Sequence, residues 1–360
     1  MDKKSKAEKT IRSEILKLKP YRSPHFEYRI KLDLNENPFD LPPEVKEEIF
    51  QRVKPLLWQR YHDEFEEPLK KALAGHLGHD PHGILIGNGS NELIFHSLLA
   101  AVGNGDSVVY PEPSFSLYRQ NVLVLGGKPA AFKLGGDYFS VDSGEVIELA
   151  RATRARAVVL CSPNNPTGGR APTEVIEEIV RSVSCLVVVD EAYAHFASDS
   201  ALRLAGIYPN LVILRTFSKA FGLAGLRFGF GITSPELAGE IAKVQLPHHV
   251  NFFTQLTALT LLRHPELVEE KVAAIKSGRK FLEKELKLLP GLKVFPSEAN
   301  FIMVELKLKS PADIFNFLLG RGILVRDVSD YPWLDRCLRI TVGSQPDNEA
   351  FLAALREALA

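Results

Sequence analysis

The sequence predicts an α/β fold: a large domain whose mainly parallel sheet is sandwiched by helices, with a smaller α/β domain at the C-terminal end. Three observations carry this. Short apolar runs recur at 84–86, 107–110, 157–161, 186–189 and 211–214, continuous rather than alternating, as suits strands covered on both faces. Helix-length stretches lie between them, at 91–102, 115–125, 144–152 and 173–182, and strands spaced by helices make βαβ units and a mainly parallel sheet. After residue 250 the texture shifts to a long charged helix and then to short strands mixed with helices.

Taken in order, the first twenty residues read as a short basic helix, an arm that clasps a partner or stays mobile. A helix is expected at about 42–54, where Pro42 and Pro43 suit a helix start because the missing N–H has no intrahelical role there. A second is expected at 66–77. The βαβ region follows. Beyond it, one helix is expected over about 255–288, ended by Pro290-Gly291, then strands at 293–295, 301–305 and 338–342 with helices at 312–321 and 348–359. The division expected is an N-terminal arm over 1–33 that contributes to the small domain, a large ligand-binding domain over 34–250, and a small C-terminal domain over 251–360.

Composition narrows the function. The chain has 360 residues, 44 basic and 44 acidic side chains, and a formal charge of +0. A balanced charge exerts no long-range pull on nucleic acid or anionic lipid, and no apolar stretch approaches the roughly 18 residues of a membrane span. The basic N-terminus lacks the apolar core of a signal peptide. Cys161, Cys185 and Cys337 stand far apart, each beside an apolar run, and read as buried thiols in a reducing cytoplasm.

In a parallel α/β sheet, ligands bind beyond the carboxyl ends of the strands. Three such ends are rich in polar residues: Cys161-Ser-Pro-Asn-Asn-Pro-Thr-Gly168, Val189-Asp-Glu-Ala-Tyr193, and Thr216-Phe-Ser-Lys-Ala220 running on to Arg227. A lysine held among apolar strands loses its proton more easily than one in water, and a neutral amine forms a Schiff base with a carbonyl. Asp190 suits a pyridinium N–H, Asn165 and Tyr193 a phenolic oxygen, and Thr216, Ser218 and Arg227 a phosphate. The loop Gly87-Asn-Gly-Ser-Asn-Glu92 opens a helix whose first N–H groups form an anion site. Together these match the polar groups of pyridoxal phosphate.

The same residues carry a resemblance. Leu34-Asn-Glu-Asn-Pro38, Arg60-Tyr61, Gly87-Asn-Gly-Ser-Asn-Glu-Leu93, Ser162-Pro-Asn-Asn-Pro-Thr-Gly168, Asp190-Glu-Ala-Tyr193, Thr216-Phe-Ser-Lys-Ala-Phe-Gly-Leu-Ala-Gly-Leu-Arg227, Val325-Arg326 and Leu338-Arg-Ile-Thr-Val-Gly343 follow one another in the order found in the fold-type I aminotransferases. Within that family the chain looks like the histidinol-phosphate aminotransferases, with Pro20-Tyr21 as a further match. The resemblance implies that Lys219 forms the Schiff base and moves the proton between substrate and cofactor. It implies Asp190 on the ring nitrogen, Asn165 and Tyr193 on the phenolic oxygen, and Phe115 stacked on the ring. Ser90, Asn91, Thr216, Ser218 and Arg227 match the phosphate cup, and Tyr61 matches a tyrosine reaching the cofactor phosphate of the other subunit of a homodimer. Arg339 matches the group that binds the carboxylate of glutamate or 2-oxoglutarate; with Tyr21 and Arg326 it matches the contacts to the phosphate end of histidinol phosphate. His62 stands where the family usually has proline.

Each residue also has a plain structural reading: Asp190 as a helix cap, Asn165 as a turn residue before proline, Phe115 as core, and the arginines as surface ion-pair partners. The long ordered match outweighs these. Competing functions are a broad aromatic aminotransferase, a threonine-phosphate decarboxylase on the same scaffold, and a cofactor-binding regulator without catalysis. No metal site is expected, because Gly78 and Pro81 break any face shared by His76, His79 and His82.

Overall fold

The computed structural model describes residues 10–20 and 25–360. It contains two sheets. The larger is built from β2 (Ile84–Gly87), β3 (Ser107–Glu112), β4 (Lys128–Lys133), β5 (Ala157–Cys161), β6 (Leu186–Asp190), β7 (Leu211–Thr216) and β8 (Gly229–Ile232), in the order β2-β8-β7-β6-β5-β3-β4. Every strand runs parallel to its neighbours except β8, which is antiparallel to both β2 and β7. The smaller sheet, in the order β1-β11-β12-β10-β9, joins β1 (Ile30–Leu32) to β9 (Leu292–Val294), β10 (Phe301–Leu306), β11 (Ile323–Asp327) and β12 (Cys337–Thr341). The N-terminal segment thus enters the second sheet, β1 lying parallel to β11.

The unbroken apolar runs find their cause in the packing. Alternate residues of one strand enter two separate cores: Val158 and Leu160 of β5 face one, Ala157, Val159 and Cys161 the other. Helix Thr173–Ser182 covers the first face through Ile176, Ile179 and Val180, and helix Ser90–Ala101 covers the second through Leu93, Ile94 and Leu98. Both faces are dry, so nothing in these strands needs to be polar until the sheet's edge at their carboxyl ends.

Several expectations need correction. The single helix over 255–288 is two, Phe252–Leu261 and Pro265–Lys287, because Pro265 has no N–H to continue the first helix and starts the second at its N-terminal turn. Of the helix expected over the first twenty residues, residues 1–9 lie outside the described residues, and the described part holds the turn Ser13–Leu16. Strands β4 and β8 lack the apolar run that marks the other strands of this sheet, for opposite reasons. β4 contains Pro129 and lies at the sheet edge, where a missing donor is tolerated. β8 reads Gly-Phe-Gly-Ile, and Gly229 is required: a Cβ there would stand 2.2 Å from the backbone nitrogen of Ser90. That close approach seats the start of helix Ser90–Ala101 against the sheet. Cys161 and Cys337 are buried as expected, but Cys185 is only half-buried. Among the described residues no helix is long and apolar enough to cross a membrane.

Candidate active site

The carboxyl ends of β5, β6 and β7 lie side by side, with Cys161 in register with Asp190 and Asp190 with Leu214. This places the three polar segments around one cavity of about 330 Å³, between the two sheets. Ser90, Asn91, Phe115, Asn165, Asp190, Tyr193, Thr216, Ser218, Lys219, Arg227, Arg326 and Arg339 all line it. Among the described residues, one expected residue does not. Tyr61 lies outside this cavity, 78% exposed, with its ring stacked on His248 at 4.2 Å. Tyr21 falls outside the described residues.

Lys219 follows β7, and its Nζ donates to the carbonyl of Leu34 at 2.8 Å. Burial pulls its ammonium down to about 7, and the positive charges of Arg339 and Arg227 push the same way. The amine is therefore substantially neutral at neutral pH, as a nucleophile or proton carrier must be.

Asp190 is buried at the end of β6. Burial raises its carboxyl above the usual range, opposed by hydrogen bonds from the Tyr118 hydroxyl to Oδ2 (2.7 Å) and from the Ala192 N–H to Oδ1 (3.1 Å). Asp190 is not a helix cap: the helical turn that follows, Ala194–Phe196, is entered through Tyr193 with no side-chain cap, Oδ1 closes only a local turn to Ala192, and Oδ2 is tied to an aromatic hydroxyl. Tyr118 lies three residues beyond Phe115, their rings edge to face at 5.6 Å. Its bond to Asp190 joins residues 72 positions apart, so no local spacing in the sequence announces it.

The Asn-Glu-Asn segment, matched but given no task, knits the two sheets together at the site. Asn35 donates from Nδ2 to the Tyr193 hydroxyl (2.9 Å), and its N–H donates to Thr341 Oγ1 in the small sheet (2.9 Å). Asn37 donates from Nδ2 to the carbonyls of Lys219 (3.1 Å) and Ala220 (2.9 Å), holding the backbone that carries the lysine. Within the Asn-Asn pair, Asn165 faces the cavity. Asn164 is scaffold, donating to the Pro113 carbonyl and to Thr167 Oγ1.

Opposite these residues, Arg326 of β11 stands in register with Arg339 of β12. Arg339 donates to Asn165 Oδ1 and the Asp33 carbonyl, lies over the Phe301 ring at 5.3 Å, and keeps Nε buried without a partner among the described residues. The Arg326 side chain has no hydrogen bond or ion pair among the described residues. Two guanidiniums that share one wall, neither balanced by a carboxylate at hydrogen-bonding distance, suit an anionic ligand. Tyr331 completes this wall, from a segment whose sequence pointed nowhere.

At the other end of the cavity, helix Ser90–Ala101 begins, and Ser90 and Asn91 of its first turn line the cavity, where a helix N-terminus favours an anion. Gly89 sits at φ +84°, and a Cβ there would stand 2.4 Å from Arg227 Nη2, so the glycine makes room for the guanidinium. Arg227 donates from Nη1 to Ser218 Oγ (3.1 Å) and the Ala224 carbonyl (3.2 Å), and Thr216 Oγ1 accepts the Ser218 N–H (3.0 Å). An aldehyde-bearing, phosphorylated pyridine fits this donor set: amine, buried carboxylate and anion cup occupy one cavity.

Glu191, also unassigned from sequence, is fully enclosed. It accepts from Arg215 through Nε (3.1 Å) and Nη2 (2.9 Å), from Ser200 Oγ, and from the Ala201 N–H (2.6 Å). This pair ties the end of β6 to β7 beside Asp190 and Lys219. Replacing one member strands a buried charge. Glu191→Ala is expected to lower unfolding free energy by about 3–5 kcal/mol, read as a shift in the denaturant midpoint at unchanged slope. A change below about 1 kcal/mol would show the pair to be energetically neutral.

Comparison with known proteins follows the same lines. The family model for aminotransferase class I and II matches residues 28–355. Histidinol-phosphate aminotransferase from Thermoanaerobacter sp. (strain X514) is 40% identical over 98% of this chain and 99% of its own length, and that from Prosthecochloris aestuarii is 41% identical over 91% of each. The crystal structure of histidinol-phosphate aminotransferase from Sinorhizobium meliloti in complex with pyridoxal-5'-phosphate superposes with a TM-score of 0.87 at 26% identity, covering 97% of both chains.

Proposed function

The chain belongs to the class I and II aminotransferases, and we propose that it exchanges an amino group between glutamate and imidazole-acetol phosphate, giving 2-oxoglutarate and histidinol phosphate. The cofactor is pyridoxal phosphate, held by Asp190 at the ring nitrogen, Asn165 and Tyr193 at the phenolic oxygen, Phe115 on the ring face, and Ser90, Asn91, Thr216, Ser218 and Arg227 at the phosphate. When bound, it supplies an electron sink that acidifies the substrate C–H bond. The observation that carries this reading is the half-neutral amine of Lys219 in one cavity with buried Asp190 and the anion cup.

The protein's own groups then do the following. Lys219 would hold the cofactor through its aldehyde, and its amine, once released, would take up and return the proton of the substrate α-carbon. Tyr118 and the Ala192 N–H favour the ionised form of Asp190 against the cost of burial, and an ionised Asp190 keeps the ring nitrogen protonated. Arg326 and Arg339 take the phosphate of one substrate and the dicarboxylate of the other in turn. Tyr61, exposed and remote from its own cavity, reaches the cofactor phosphate of a second subunit in a homodimer. His62, bonded to Glu64 and the Leu57 carbonyl, braces that loop where the family usually has proline.

A rival reading is an aromatic aminotransferase, favoured by the aromatic lining that Phe115 and Tyr331 give the cavity. Arg326→Ala separates the two. Loss of a charge-assisted contact is expected to cut kcat/KM for histidinol phosphate by about 10–100-fold more than for phenylalanine and tyrosine. Equal losses on all three substrates would remove Arg326 from phosphate recognition, and better turnover of the aromatic amino acids by the unmodified protein would favour the rival.

A further inference from the structure

We infer that Glu36 reads the ring of the amine substrate: its carboxylate accepts the N–H of a nitrogen heterocycle such as imidazole, and so sets such substrates above their phenyl counterparts. The inference deepens the function proposed above and rests on it. Among the residues that line the reaction cavity, the carboxylates are Asp190 and Glu36. Asp190 is buried and already engaged by the Tyr118 hydroxyl and the Ala192 N–H. Glu36 is placed differently. Its side chain is 41% exposed, and it also lines a neighbouring hollow of about 410 Å³ together with Lys31, Asn37 and Gly225. It stands at the rim of the cavity, away from the enclosed end that suits the cofactor.

The fold holds this carboxylate in place. On one side of it Asn35 is bonded to Thr341 and Tyr193, and on the other Asn37 is bonded to the carbonyls of Lys219 and Ala220. The side chain itself is steered by Lys31, whose Nζ donates to Glu36 Oε2 and stands 3.0 Å from Asp33 Oδ1. One ammonium thus serves two carboxylates and does not cancel the charge of Glu36. Glu36 Oε1 accepts no hydrogen bond among the described residues, so an acceptor is left for a ligand. The charge is also felt at the reacting amine, where it opposes the lowering of the Lys219 proton affinity by burial.

The other walls read the anion rather than the ring. Arg326 and Arg339 are donors only, and they meet a phosphate or a carboxylate whatever ring the substrate carries. Imidazole and phenyl are both flat and apolar-faced, so contact with Phe115 and Tyr331 separates them little. They differ in one feature that a polar group can read, the N–H. A carboxylate accepts and cannot donate, so it rewards that N–H. A phenyl ring set against it takes water from a charge and returns no hydrogen bond. Because the rim is half open to solvent, the discrimination expected is about tenfold rather than the far larger ratios of an enclosed polar site.

The test uses two ligands that differ only in the ring, histidinol phosphate and phenylalaninol phosphate. Their dissociation constants are measured by calorimetry on the holoenzyme in its pyridoxamine-phosphate form, with which an amine does not react. The unsubstituted protein should bind histidinol phosphate about tenfold more tightly. Glu36→Ala should abolish that preference by weakening histidinol phosphate alone, and Glu36→Gln, which keeps an acceptor and drops the charge, should fall between the two. Arg326→Ala should weaken both ligands alike, since the phosphate is common to them. A preference that survives in Glu36→Ala, or equal weakening of both ligands there, overturns the inference and leaves Glu36 as a brace for Lys31. Equal binding of the two ligands by the unsubstituted protein overturns it as well, with the proposed function intact. Binding of neither ligand is a distinct result: the proposed function then fails, and the inference with it.

Discussion

Lys219→Ala is expected to lower transamination by about 10⁴-fold or more, because the covalent hold on the cofactor and the proton carrier vanish together. Borohydride treatment followed by peptide mapping should attach the cofactor to the Lys219 peptide in the unsubstituted protein and to no peptide in the variant. Retention of the covalent label would end the assignment. The amine also leaves a mark on stability. Its folded value of about 7 lies below the ordinary 10.5, so between those limits the unfolded chain binds more protons and the apoprotein gains stability as pH rises. Lys219→Met removes this dependence. The variant should exceed the unsubstituted apoprotein in stability most clearly below about pH 7, with the gap closing towards pH 10. A pH-independent gap would mean that the amine is solvated.

Asp190→Asn is expected to cost about 10²–10³-fold in kcat while the covalent link to Lys219 persists, since the amide preserves shape and loses the charge opposite the ring nitrogen. The Tyr118 hydroxyl can still donate to the amide oxygen, so the fold should survive. A variant with near-normal kcat would show that the ring nitrogen is not held by this residue. A variant that cannot bind cofactor at all would show that Asp190 acts by anchoring rather than by charge.

The sequence displayed the site better than it displayed the fold around it. Lys219, Asp190, Asn165 and Arg227 were legible because each follows an apolar strand, and the ends of neighbouring parallel strands must converge. The tasks of Asn35, Asn37 and Glu191 were not, although all three lie within quoted motifs, because a residue that orders backbone looks in sequence like any polar residue. Tyr331 had no local signal. Its place depends on how the small sheet folds back over the large one, through contacts between residues some 300 positions apart such as Asn35 and Thr341. The helix break at Pro265 is legible in the sequence, since proline has no N–H to continue the preceding helix.

By itself, the chain of residues determined the layered α/β architecture and the chemistry available at the strand ends, since hydrophobic periodicity and strand polarity are local properties. Tertiary structure alone decided the protonation of the reacting groups. The lowered affinity of Lys219 for its proton, the raised one of Asp190, and the shared wall of Arg326 and Arg339 all depend on burial and on neighbours distant in sequence. A side chain's charge is set by what surrounds it in space, and that surrounding exists only once the chain has folded.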